Sequence, residues 1–152
     1  ERNITRIGSA APDRTIVMHE SEGREAVSDA LSQATCQIAE ALGVKAIVTA
    51  TMSGYTARRV AKERPRTPIL CVTPNELTYR RMALVWGVVP LLVTNFNSID
   101  EMIGVVVRAA HDEKLVEMGD SLVIIAGVPF GIGGQTNFLK VHRVGEQNEL
   151  SE

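Results

Sequence analysis

Apolar runs and helical repeats alternate along this chain. Apolar residues recur at three- and four-residue spacing from Ala26 until Gly43, which is the pattern of a helix with one buried face. The run from Val44 to Ala50 that follows is typical of a strand. The alternation then continues, and it predicts helices at 56–64, 75–86 and 98–114 and strands at 69–72, 88–93, 122–126 and 137–144.

Strands that are apolar throughout and separated by helices are buried on both faces and run parallel. We therefore predict an α/β fold: a three-layer, doubly wound, five-stranded sheet, mostly parallel. Only residues 128–135 separate the last two strands, which is too short for a helical crossover, so the last strand should be an antiparallel edge. Lys140 and Arg143 would protect this edge unless it pairs with another subunit, and His142 is expected to be exposed or at that contact.

Composition limits the classes of function. The 152 residues are 45% hydrophobic and carry a net charge of −2, which favours one domain and a small ligand, with no nucleic-acid partner. No apolar run is long enough for a membrane span and the N-terminus does not resemble a signal peptide, so a cytoplasmic location without membrane contact is expected. Cys36 and Cys71 lack metal-site spacing and are predicted to be inert thiols. We divide the chain into an N-terminal extension (1–23), one domain (24–145) and a polar tail (146–152).

The loop after the first predicted strand carries the clearest candidate chemistry. It consists of Thr51, Met52, Ser53, Gly54, Tyr55 and Thr56, and it leads directly into a helix. The first amides of a helix have no intrahelical acceptor and its dipole favours anions there, so hydroxyl side chains at this position predict a phosphate site. The alternative is a capped helix without a ligand. Either Arg58 or Arg59 could face the anion, or both could face water.

A second loop, after the fourth predicted strand, contains Gly131, Gly133 and Gly134. Glycines allow close approach of a ligand to the backbone. If the first and fourth strands are neighbours, both loops meet at the carboxyl edge of the sheet, where such folds bind ligands. The spacing matches neither a dinucleotide fingerprint nor a P-loop, and a flexible chain reversal is the alternative.

Several segments together resemble the C-terminal domain of pyruvate kinase, over about Ala26 to Val144. They are residues 45–62, Val72-Thr73-Pro74-Asn75-Glu76, residues 79–88, Ala126-Gly127-Val128-Pro129 and Thr136-Asn137. The resemblance implies an allosteric domain that follows a catalytic barrel. It places an effector phosphate in the loop Thr51 to Thr56, with the loop Gly131 to Gly134 closing over the sugar. It also implies a homo-oligomer that uses the last strand, residues 137–144.

In that family the chemistry takes place on the barrel and its lid. The parent enzyme transfers phosphate from phosphoenolpyruvate to ADP and uses Mg and K ions. A barrel needs ~250 residues, so the resemblance implies that this chain alone has no catalytic residues, cofactor or metal. The missing initial methionine favours a piece of a longer chain, although a separate gene product stays open, as does a structural module that binds nothing.

One departure from the family pattern concerns the choice of effector. Relatives that respond to fructose bisphosphate bring a tryptophan and an arginine from the region that here runs from Asn97 to Met102, which supplies no cation. Losing one charge-assisted contact weakens binding about ten- to a hundredfold. We therefore predict a sugar monophosphate or AMP as the effector in preference to fructose bisphosphate.

Overall fold

Helices and strands alternate along residues 23–131 and 134–146, which are the residues described by this computed structural model. In chain order the elements are α1 (Gly23–Leu42), β1 (Ala46–Ala50), α2 (Tyr55–Lys62), β2 (Ile69–Thr73), α3 (Glu76–Met82), β3 (Val88–Leu92), α4 (Ile99–Asp112), β4 (Ser121–Ala126) and β5 (Phe138–Arg143). The predicted extension and tail lie almost wholly outside the described residues, and the predicted domain limits stay a prediction. None of the described helices is both long and apolar enough to cross a bilayer.

The five strands form one sheet in the order β3-β2-β1-β4-β5. Val48 of β1 is in register with Leu70 of β2 on one side and with Ile124 of β4 on the other, and both pairings are parallel. Only β5 runs antiparallel to its neighbour. The predicted α/β fold and its antiparallel last strand are therefore confirmed, and β1 and β4 are neighbours as the site prediction requires.

The two faces of the sheet have separate cores because neighbouring strand residues point to opposite sides. Val48 and Ile124 pack with Met102 and Val106 of α4 on one face. Ile47 faces the other way. It belongs to the cluster formed by α1, α2 and the alternate strand residues, and the smaller cluster around Met82 of α3 continues on that side. The fold therefore has three layers, with one helix on one face and three on the other.

Both cysteines lie within the packed layers, as predicted. Cys36 is half-buried, Cys71 is fully buried, and neither is in a disulfide. Burial raises the pKa of each thiol to about 11, so both stay protonated and unreactive near neutral pH.

The third helix is shorter than its sequence pattern predicts. It begins after Asn75, whose side chain accepts a hydrogen bond from the Thr78 amide, but it ends at Met82 and not at Trp86. The amides of Leu84 and Val85 donate to carbonyls only three residues back, which tightens the chain into turns before Gly87. Trp86 is 61% exposed, so apolar spacing here did not correspond to a buried helical face.

The expected exposure of His142 is wrong. His142 of β5 lies opposite Leu122 of β4, so both side chains point toward the face covered by α4, and His142 is only 4% exposed. Val141, on the opposite face, is 44% exposed. Burial, and to a lesser extent the charge of Lys140, lowers the pKa of His142. Its Nδ1 atom is buried without a hydrogen-bond partner among the described residues.

Candidate functional site

A pocket opens at the carboxyl ends of β1 and β4, where the direction of winding reverses. The chain leaves β1 through α2 on one face of the sheet, whereas it reaches β4 through α4 on the other face. The connections therefore diverge and leave a crevice between them. One wall of this pocket is the loop from Thr51 to Thr56, the other is formed from Gly127, Phe130, Gly131, Gly134 and Gln135, and Phe96 closes one end.

Hydrogen bonds within the first wall set its shape. The Thr51 hydroxyl accepts a 3.0 Å hydrogen bond from the amide of Gly54, and the Ser53 hydroxyl accepts one of 3.4 Å from the amide of Tyr55. Gly54, at the start of α2, has a left-handed conformation with φ +78°. Thr51 and Thr56 are buried, whereas Met52 and Ser53 are exposed at the mouth of the pocket.

Hydrogen bonds of Asn137 join the two ends of the loop that forms the second wall. Oδ1 of Asn137 accepts a 2.7 Å hydrogen bond from the amide of Val128, and Nδ2 of Asn137 donates to the Val128 carbonyl over 2.6 Å. Gly127 passes so close to the other strand of the loop that a Cβ atom on it would lie 2.2 Å from the carbonyl oxygen of Gln135. Of the predicted loop glycines, Gly131 and Gly134 line the pocket and Gly133 lies outside the described residues.

Two buried threonines join the walls. The hydroxyl of Thr56, at the start of α2, lies 2.9 Å from the hydroxyl of Thr136, which follows the glycine loop, and either group can donate. Both residues are almost fully buried, with 2% and 1% of their surfaces exposed. The hydroxyl loop and the glycine loop are therefore one connected unit.

An aromatic pair supplies the apolar part of the pocket. Phe96 and Phe130 meet edge to face, with ring centroids 4.9 Å apart and an interplanar angle of 82°. The sequence did not identify either ring as a site residue. Phe130 lies inside the glycine loop that the sequence predicted as part of the site. Phe96 lies in the connection between β3 and α4, and it packs into the core on the α4 side of the sheet.

Neither arginine that could have faced the anion lines this pocket. Arg59 is paired with Asp29 and with Glu25, and its guanidinium lies 4.8 Å above the ring centroid of Tyr55. Burial is the largest single influence on the pKa of Arg59 and lowers it, but the hydrogen bond with Asp29 and the charge interactions with Tyr55, Asp29 and Glu25 together outweigh burial, so the net pKa is raised. The pocket lining, within the described part of the chain, contains no charged side chain.

Donors near the pocket are therefore neutral groups. The first amides of α2 point toward the loop because they have no acceptor within the helix. The hydroxyl of Tyr55 is buried without a partner among the residues described. Within the same residues there is no group of three metal-binding side chains. The arrangement suits an anion that is held by amides, hydroxyls and the helix dipole, and it does not offer a metal site.

The sequence matches the family described as "Pyruvate kinase, alpha/beta domain" over residues 29–142. It is 47% identical over 125 residues to a pyruvate kinase of Geobacillus stearothermophilus, which covers 82% of this chain and 21% of the relative. It is 41% identical over 132 residues to one from Clostridium acetobutylicum, with coverages of 87% and 28%. For a third relative, from Staphylococcus saprophyticus, the values are 38% over 148 residues, 96% and 25%. The chain thus spans 21% to 28% of the length of these curated relatives.

Proposed function

The chain belongs to the family of pyruvate kinase alpha/beta domains, and from this we propose that it is the effector-binding domain of a longer pyruvate kinase. Its ligand is a phosphorylated metabolite, whose phosphate is held by Thr51, Met52, Ser53, Gly54, Tyr55 and Thr56. The observation that carries the proposal is the convergence of a hydroxyl loop, a helix start and a glycine loop on one pocket.

The chemistry of the walls supports a phosphate ligand over other small molecules. A phosphate accepts hydrogen bonds and donates few, and the first wall presents amides and hydroxyls at the positive end of the α2 dipole. Phe96 and Phe130 supply an apolar surface beside it, against which the face of a sugar or base can pack. In this proposal Gly131 and Gly134 belong to the loop that covers this part of the ligand.

The absence of charge among the described lining residues favours a single phosphate group. A second phosphate would need its own cation, and Arg59 already has two acidic partners on α1. Next to Phe96 in the sequence, the Asn97 amide donates a hydrogen bond to the Glu101 carboxylate, which adds negative charge to the segment from which relatives reach the second phosphate. We therefore place ribose 5-phosphate or AMP above fructose bisphosphate.

Catalysis belongs to a different part of the proposed longer enzyme. General acid–base catalysis most often uses histidine, a carboxylate or lysine within hydrogen-bond reach of the ligand, and the described lining contains none of these side chains. We propose that transfer of phosphate from phosphoenolpyruvate to ADP, with its Mg and K ions, takes place on a barrel to which this domain is attached. The domain itself would hold no cofactor.

The edge strand β5 is the proposed contact between subunits. The outer edge of β5 has no neighbouring strand in the described sheet. The side chain of Val141 is apolar and exposed on one face of this strand. An effector acts by stabilising one arrangement of subunits over another, so binding and assembly belong to the same proposal. The alternative is a structural module that associates through β5 and binds nothing.

Isothermal calorimetry with ribose 5-phosphate, AMP and fructose bisphosphate tests the proposal. We expect saturable binding of at least one monophosphate and weaker binding of fructose bisphosphate. We call the loop from Thr51 to Thr56 the cradle. Ser53→Glu places a negative charge at its mouth and should abolish binding of the phosphate. Gln37→Glu adds the same charge on the exposed surface of α1 and should bind like the wild type.

The possible results separate the alternatives. Tightest binding by fructose bisphosphate would overturn the preference for a single phosphate. If none of the three compounds binds, the structural module is favoured. If Ser53→Glu binds as tightly as the wild type, the phosphate site is not in the loop from Thr51 to Thr56. Turnover of phosphoenolpyruvate by the purified chain would contradict the assignment of catalysis to the barrel.

A further inference from the structure

Thr136 connects the proposed phosphate cradle to the start of α1. Its hydroxyl contacts Thr56 of the first wall, and its backbone amide donates a 3.0 Å hydrogen bond to the hydroxyl of Ser28. The Ser28 hydroxyl in turn donates to the carbonyl of Arg24, 2.9 Å away in the preceding turn of α1. Ser28 and Thr136 are both almost completely buried, so water does not compete for these bonds.

A second connection reaches the same part of α1 from the other wall. Arg59 lies on α2, the helix that begins at the cradle, and it is paired with Asp29 and Glu25 of α1. The hydroxyl loop and the glycine loop are thus both attached to residues 24–29. A change in the distance between the walls must move these attachments or strain them.

The hydroxyl pair gives Thr136 a direct influence on the ligand. Without an anion, either Thr56 or Thr136 can donate in their shared hydrogen bond. A fully ionised phosphate only accepts, so Thr56 has to donate to it, and the proton between the two threonines must then come from Thr136. Each bond in such a series polarises the next, which strengthens the contact between Thr56 and the anion.

We propose that Thr136 is a positioning residue for the phosphate cradle and that, through Ser28, it transmits ligand binding to the first two turns of α1. The inference rests on the proposed function, because it names how that same site is regulated. It also identifies one place where the signal leaves the cradle, which is the start of α1.

Calorimetry on threonine variants tests the positioning role. Thr136→Val removes the hydroxyl with little change in shape, and we expect the Kd for ribose 5-phosphate to rise about five- to tenfold. Thr136→Ser retains the hydroxyl and should restore binding to within about twofold. Thr35→Val is the matched control, because the buried Thr35 hydroxyl donates only to Leu31 in its own helix and has no link to the cradle.

Hydrogen exchange tests the transmission to α1. Saturating ribose 5-phosphate should slow amide exchange at residues 27–31 severalfold in the wild type and in Thr35→Val. Ser28→Ala removes the acceptor of the Thr136 amide, so it should still bind ribose 5-phosphate but lose this protection. Circular dichroism of each variant establishes that α1 is folded, and Ser28→Cys, which replaces the hydroxyl with a weaker thiol acceptor, provides an independent reading if Ser28→Ala is not.

The outcomes distinguish this inference from the proposed function. If the wild type binds none of ribose 5-phosphate, AMP, fructose bisphosphate and inorganic phosphate, both are overturned. If it binds one of them but Thr136→Val has the same Kd, the positioning role is overturned and the cradle stands. If exchange at residues 27–31 does not respond to the bound compound, or responds equally in Ser28→Ala, transmission through Ser28 is overturned.

Discussion

Gly54 lies directly against the end of the Met82 side chain. A Cβ atom at residue 54 would be 2.8 Å from both Sδ and Cε of Met82, and Gly54 also has φ +78°. Met82 is 1% exposed and packs between α2 and the sheet, so it cannot turn toward water. The loop from Thr51 to Thr56, which is the proposed phosphate cradle, therefore depends at Gly54 on a residue without a side chain.

Gly54→Ala should destabilise the fold and distort the cradle. The left-handed conformation costs a residue with a side chain about 1–2 kcal/mol, and displacing a buried side chain adds about 1–3 kcal/mol. Urea unfolding measures the sum. Gly43→Ala is the control, because Gly43 has φ +59° but an added Cβ would meet nothing within 4 Å. Equal losses in the two variants would show that the contact with Met82 is unimportant.

Thr51→Val should weaken the folded state through the amide of Gly54. The Thr51 hydroxyl accepts that amide's hydrogen bond in a buried position, and valine would leave the donor unpaired at a cost of about 1–3 kcal/mol. Thr51→Ser keeps an acceptor and should retain most of this stability. Chemical unfolding compares the two, and a serine variant as unstable as the valine variant would assign the effect to lost packing of the methyl group.

His142 should make the fold sensitive to mild acid. Burial first, and Lys140 second, lower the pKa of His142 from its ordinary 6.5, although Glu146 acts in the opposite direction. Below about pH 6.5 the unfolded chain therefore binds more protons than the folded chain, and the free energy of unfolding should fall as the pH decreases. Above about pH 6.5 His142 is neutral in both the folded and the unfolded chain, so this loss of stability is absent.

Unfolding of His142→Leu between pH 7.5 and pH 5 measures this contribution. The variant should lose part of the pH dependence seen in the wild type. His111→Leu is the control, because His111 is an exposed histidine of α4 that, like His142, lines the groove between α4 and β5. Its replacement should leave the effect of His142 on the pH profile unchanged. An identical pH profile for the wild type and His142→Leu would refute the role of His142.

Val141→Glu should weaken self-association through β5. Val141 is 44% exposed on a strand with one free edge in the described sheet, and a charge there resists pairing with a second copy. We expect the dissociation constant, from sedimentation, to rise at least about tenfold. Leu42→Glu changes a residue that is 58% exposed at the end of α1 and should have no effect. A wild-type chain that stays monomeric with and without ligand would remove the assembly role.

The sequence determined the fold class well because the signals were local. Continuous apolar runs marked β1, β2 and β4, and the short connection after β4 was enough to predict the direction of β5. Asn75 and Ser98, at the starts of two predicted helices, are residue types that cap helices, and their side chains accept hydrogen bonds from the Thr78 and Glu101 amides. These inferences needed only the periods of helices and strands.

The parts that the sequence missed depend on contacts between distant elements. Phe96 reaches the pocket only because α4 crosses from β3 to β4, and Thr136 contacts Ser28 across 108 positions of sequence. His142 is polar at a buried position, so the alternation along β5 suggested the wrong exposure. For Arg58 and Arg59 the spacing could not show that neither lines the pocket, because the acidic partners of Arg59 lie on α1, 30 and 34 positions away in the sequence.

Residues 51–56 are proposed to hold a phosphate group, and amide chemical shifts test this most directly. Ribose 5-phosphate should be titrated into the ¹⁵N-labelled chain. We expect the largest saturable shifts at the amides of residues 53–57, with smaller shifts at Thr136. Saturable shifts confined to another surface, such as the groove between α4 and β5, or no saturable shift with ribose 5-phosphate, AMP or fructose bisphosphate, would contradict it.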